Sequence, residues 1–159
     1  MIMTSVADQI RHRLLALPSG ETSQLEGASK DEIDDLEAYA GCTLPAVYKD
    51  FLSHLGRSAG ELLRGSDYSV SERFHLRLKE YAEKIVKLST SSYTLPPSAF
   101  VFLMSQGYQF AFFHTDQGDD PSVYCFHEGD EKPQLIESQL SRYLVRCIEA
   151  CEERERQAK

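Results

Sequence analysis

The stretch from Ile33 to Gly56, IDDLEAYAGCTLPAVYKDFLSHLG, constrains the fold more than any other part of this chain. It reads as two short amphipathic helices joined by a tight turn. Ile33, Leu36 and Ala40 recur on one helical face, and Val47, Tyr48, Phe51, Leu52 and Leu55 recur on the next. Gly41 stands where the first helix must stop, because glycine takes the left-handed conformation that many helix C-termini need. Pro45 stands where the second begins, because its missing N–H is no loss at a first helical position.

The 159 residues suit one domain with a sizeable core, spanning 1–159. Residues 1–28 read as an N-terminal helix and polar linker, and the core runs from 29 to 155. Val6, Ile10, Leu14 and Leu17 mark the buried face of the first helix. Arg11 and Arg13 interrupt its apolar stretch and Asp8 precedes it, so it does not read as a signal peptide. No apolar run approaches the roughly 20 residues that span a membrane. The expectation is a cytoplasmic protein, with its four cysteines (Cys42, Cys125, Cys147, Cys151) reduced.

The net charge of −8 is unevenly spread. Residues 21–37 carry seven acids against Lys30, and residues 116–137 carry seven against Lys132. Each window nets −6, leaving +4 for the rest. Such a surface repels nucleic acid and attracts a basic partner. Acidic surface loops in general more often serve solubility alone. Part of the first cluster has a local explanation. Ser29-Lys30-Asp31-Glu32 is a capping box, and acids in a first helical turn suit the helix dipole.

Residues 57–70 read as a loop. A helix is expected from about Ser71 to Leu88, with Phe74, Leu78, Tyr81, Ile85 and Leu88 at helical spacing and Ser69–Glu72 as its cap. Phe100–Met104 and Tyr108–Phe113 form a hairpin about a Gln106-Gly107 turn. Their dense aromatics imply packing on both sheet faces. Ser122–His127 follows as a third strand and Gln134–Glu137 as a short fourth. Ser138 is placed to cap a last helix, with Leu140, Leu144, Cys147 and Cys151 inward and Tyr143 and Ile148 flanking. This order gives an α+β fold: a central, mainly antiparallel sheet with helices packed around it.

No catalytic constellation stands out. Asp116, Asp119 and Asp120 suggest a hard-cation site, but calcium-loop spacing is absent and turn chemistry explains the same residues. His114, Cys125 and His127 lack paired zinc-ligand spacing. His54, His75, His114 and His127 have no nucleophile beside them in an elbow motif. No phosphate-cradling glycine loop is present. Neither an enzyme, a cofactor nor a metal is expected.

Ile33, Leu36, Glu37, Gly41, Leu44, Pro45, Tyr48, Phe51, Leu52 and Gly56, taken in order, resemble the opening motif of the SUKH superfamily. That superfamily holds fungal cell-wall assembly regulators and bacterial immunity proteins that neutralise toxins. The aromatic strands from Phe100 to His114, the acidic turn Gly118-Asp119-Asp120-Pro121, the strand Ser122–Phe126 and the final helix extend the resemblance over roughly residues 29–155. It implies an α+β domain that binds protein and performs no catalysis. It further implies a basic toxin domain, often a nuclease, as partner, held by occlusion of its active site. The alternative is a regulatory interaction module of the cell-wall-regulator type. On the immunity reading the expected contact residues are Asp116, Asp119, Asp120 and Tyr124, with Glu128, Asp130 and Glu131 at the rim.

Overall fold

The computed structural model describes residues 4–21, 24–70, 77–89 and 92–158. These run through α1 (Val6–Leu15), a 3-10 turn (Pro18–Glu21), β1 (Leu25–Glu26), α2 (Lys30–Ala40) and α3 (Ala46–Leu55). Then come β2 (Ser58–Ala59), β3 (Ser66–Asp67), α4 (Leu78–Leu88), β4 (Ala99–Ser105) and β5 (Gln109–His114). The chain closes with β6 (Val123–His127), β7 (Gln134–Glu137) and α5 (Leu140–Gln157). β1 and β2 form a small antiparallel pair, and the main sheet is antiparallel in the order β3-β4-β5-β6-β7. The fold is α+β. No helix among the described residues is long and apolar enough to cross a membrane.

The alternation of side chains along β4 and β5 sends aromatics to both faces. Phe100, Phe102, Ala111 and Phe113 join a core built with α1, α3 and α5. Ala99, Val101, Met104, Phe110 and Phe112 join a second core under α4, which Leu95 and Phe126 complete. Pairing shifts between Val101 and Leu103, so Phe102 is an extra residue opposite β5. That bulge puts Phe102 and Leu103 on the same face and keeps both buried. Gln106 and Gly107 both take positive φ, 53° and 77°, as a tight hairpin of this twist requires.

The helix ends follow the sequence closely. Ser29 and Glu32 close a full capping box, and Gly41 ends α2 at φ 71°. Glu32 also accepts from Arg57 Nε at 2.8 Å, which ties α2 to the start of β2. α1 lies across α3 and α5. Asp50 accepts from the Ala7 amide at 3.3 Å, and Arg13 donates from Nε to Glu152 at 3.0 Å. Hydrogen bonds from Arg57 and the Ser29 amide hold the Glu32 carboxyl below the usual carboxylate range. Arg13 does the same to Glu152.

Several expectations change. The loop after Gly56 contributes β2 and β3, each two residues long, with too few side chains for a readable alternation. α4 starts at Leu78; the expected helix start, its cap over Ser69–Glu72 and Phe74 reach outside the described residues. In α5, Ile148 is fully buried while Cys147 is only half-buried, the reverse of the order expected. Leu140, Leu144, Ile148 and Cys151 form a continuous i, i+4, i+8, i+11 stripe, and Cys147 sits at its border.

Tyr48 of α3 packs between Phe100, Phe102 and Phe113, with ring centroids 5.4, 6.1 and 5.2 Å away. Its hydroxyl makes no hydrogen bond among the described residues, and burial pushes its pKa far up. We therefore expect Tyr48→Phe to leave stability unchanged or raise it, by about 1 kcal/mol at most. Phe113→Ala, in the same cluster, should cost about 3–5 kcal/mol. Urea unfolding of both variants checks this, and a large loss in Tyr48→Phe would contradict it. A second expectation concerns acid. Glu32 and Glu152 contribute fully above the ordinary glutamate pKa of about 4.3 and lose their contribution as pH falls through their lower folded values. The variant Glu32→Gln/Glu152→Gln should show a shallower fall in melting temperature below that pH than the parent chain.

Candidate functional site

The residues that link β5 to β6, 115–122, carry the acids singled out in the sequence. Each of two helices begins beside them without a cap of its own. α3 follows Pro45 and α5 follows Gln139, and neither residue makes a side-chain cap. The first amides of any helix need acceptors from outside it. Asp119 supplies them to α3: Oδ1 accepts from the Ala46 amide at 3.3 Å and its carbonyl from the Val47 amide at 3.1 Å. Asp120 supplies them to α5: Oδ1 accepts from the Ser141 amide at 2.8 Å and Oδ2 from the Ser141 hydroxyl at 2.6 Å. Both carboxylates also sit at the positive ends of helix dipoles.

This corrects the expectation that Ser138 caps the last helix. Ser138 lies two residues before the first helical residue, its amide donates to Glu137, and Asp120 reaches across from the sheet instead. Pro45 likewise stands one residue before α3, as its N-cap.

The seven expected contact residues fall in three places. Asp116 is exposed beside Thr115, with Asp119 and Asp120 in the same turn. Tyr124 is half-buried in β6, stacked on Phe112 at 5.5 Å and edge-on to His114 at 5.4 Å, on the face that α4 covers. Glu128, Asp130 and Glu131 lie beyond the other end of β6. There Asp130 accepts from the His127 amide at 2.9 Å and closes its own turn. β6 is five residues long, a span of about 14 Å. The two acidic turns therefore do not form one patch.

A groove opens at the Asp116 end. Tyr39, Ala40 and Cys42 form one wall, Lys79 and Pro97 the other, and Ala99–Val101 the floor, with Thr115 at its end. Its volume is about 220 Å³. Lys79 leans over Pro96 and Pro97, its Nζ 3.4 and 3.5 Å from their carbonyl oxygens. Along β4, β3 pairs only with Met104 and Ser105, so among the described residues no strand covers the side of Ala99–Val101 that lines the groove. No local pattern in the sequence announces this groove, because its lining comes from four separate segments.

Sequence reasoning also missed a serine–histidine contact, Ser98 Oγ to His114 Nδ1 at 2.9 Å. The two are 16 residues apart and meet only because β4 pairs with β5. His114 otherwise meets Phe112 and Tyr124, and no carboxylate orients it among the described residues. His54 bridges α1 and α3, near Asp50 at 3.4 Å and Asp8 at 3.9 Å. Burial pushes the Cys125 and Cys151 thiols up, and Cys147 up to about 11. A nucleophilic cysteine needs the opposite shift. Cys125 and His127 approach within 4.0 Å, but no group of three or more His, Cys, Asp or Glu side chains among the described residues is arranged to hold a metal.

Residues 27–146 match the family model of the SMI1 / KNR4 family (SUKH-1). The match takes in α2, α3, the whole main sheet, the groove and both acidic turns. No curated protein matches the chain.

The capping geometry makes a stability prediction. Asp120→Ala should destabilise the domain by about 0.5–2 kcal/mol. Asp116→Ala, at an exposed position of the same turn, should stay within about 0.5 kcal/mol. Equal midpoints for the two variants in urea would refute the capping role of Asp120.

Proposed function

The chain belongs to the SMI1 / KNR4 family (SUKH-1), and we propose that it is a non-catalytic, cytoplasmic protein-binding domain of the immunity type. It holds a basic toxin domain, such as a nuclease, and blocks its active site by covering it. The observation that carries this reading is the charge distribution: two acidic windows hold more than the whole net charge of −8. A basic substrate cleft is drawn to such a field, which speeds encounter and selects the partner.

Asp116 and the exposed acids of α2 face that partner. Asp119 and Asp120 add their charge to the same field while their oxygens hold α3 and α5. Tyr124 joins them, and Glu128, Asp130 and Glu131 take the rim. The regulatory-module reading is favoured by the same family match, since the SUKH superfamily includes cell-wall regulators as well as immunity proteins.

Affinity capture of the tagged chain from its host, read by mass spectrometry after a moderate salt wash, separates the two. One stoichiometric partner with a basic toxin domain, whose toxicity co-expression of this chain relieves, is the expected result. Several substoichiometric cellular proteins, with no relief of toxicity, would replace the immunity reading by the regulatory one.

A further inference from the structure

Resting on that reading, we infer that the groove beneath Tyr39 is the anchor site of the interface, and that it takes a short basic segment of the partner carrying one apolar side chain. Three observations converge on this chemistry. The first is shape. The floor is the side of β4 at Ala99–Val101 that is unpaired among the described residues, and the groove of about 220 Å³, whose lining is more apolar than polar, is walled by residues from α2, the α2–α3 turn, α4 and the 92–98 loop. A concave site of this kind takes one buried anchor, the usual source of most interface affinity.

The second is the wall itself. Tyr39 is 56% exposed and lines the groove. Tyrosine in that position offers contact area at low entropic cost. The third is charge complementarity at the rim. On α2, side chains four apart stack on one face, so Asp31 and Asp35 line up below Tyr39. Asp116 follows Thr115 at the far end. Asp31, Asp35 and Asp116 are exposed and make no ion pair among the described residues. Lys79 is the one cation lining the groove among the described residues, and it leans towards the Pro96 and Pro97 carbonyls. An apolar side chain flanked by Lys or Arg fills the groove and meets the acids. An acidic segment meets three carboxylates and is repelled.

The test uses the full chain, ¹⁵N-labelled, titrated with three synthetic peptides and read by amide shifts. The peptides are Ac-KRAFRK-NH2, its anchorless form Ac-KRAARK-NH2, and the acidic Ac-EEAFEE-NH2. We expect the first to shift amides of Tyr39, Cys42, Val101 and Thr115, the second to shift them far less, and the third not at all. Ala40→Trp, which fills the groove from a half-buried position, should weaken the first peptide about tenfold or more. Asp35→Lys/Asp116→Lys should weaken it comparably, with much of the residual salt dependence gone. No shift at the groove, shifts centred on Glu128–Glu131, or equal response to the acidic peptide would each overturn the inference. The same variants, returned to the affinity capture, distinguish the two levels. A toxin partner still held at parental strength by Ala40→Trp sinks the groove and leaves the immunity reading standing.

Discussion

From Ala99 to Met104 every side chain of β4 is buried, and so is every one from Phe110 to Phe113 in β5. Strands with apolar side chains on both faces can leave neither face to water. That one constraint places the rest of the molecule. α1, α3 and α5 cover one face, and α4 with Tyr93 and Leu95 covers the other. Rings stack within each layer: Phe100 and Phe102 on Phe113 on one side, Phe110 on Phe126 and Phe112 on Tyr124 on the other. The β4 bulge belongs to the same solution. Without it Leu103 would share a face with Val101, its side of the sheet would be overfilled and the α3 side left short.

Covering a sheet with helices creates a second requirement, since each helix brings amides that its own backbone cannot satisfy. α2 meets it locally through Ser29 and Glu32. α3 and α5 do not, and both depend on the turn that joins the central strands. Asp119 and Asp120 are consecutive, yet they serve helices that lie 94 residues apart in sequence, at Ala46 and Leu140. The acidic turn is thus a joint between the sheet and the two helices on its larger core. Its negative charge has a structural cause that would exist without any partner.

What the sequence made legible follows from range. The capping box, the left-handed Gly41, the Gln106-Gly107 turn and the two-faced aromatic strands are all settled by residues within a few positions of one another. Hydrophobic period alone placed α1, α2, α3 and α5 and the four longer strands. The misses are long-range. Asp119 caps a helix 73 residues away and Asp120 one 21 residues away, so nothing near Pro45 or Ser138 could announce them. Ser98 meets His114, and Tyr39 and Val101 come to line one groove, only through tertiary packing. β1, β2 and β3 are too short to carry a period. The six acids and the tyrosine chosen as one surface were close in sequence, and a single strand carries them apart.

That separation decides how the charge can act. The turns at the two ends of β6 stand about 14 Å apart, beyond the Debye length of about 8 Å at physiological salt. A partner seated at one end therefore feels mainly the acids of that end, and the whole net charge governs only the approach from a distance. Of the two ends, one closes on itself, with Asp130 bonded to His127. The other is concave, has an exposed aromatic wall, and keeps Asp31, Asp35 and Asp116 clear of local ion pairs. Affinity needs a desolvated anchor as well as a field. Of the two ends, the groove end is where a cavity and unneutralised acids coincide.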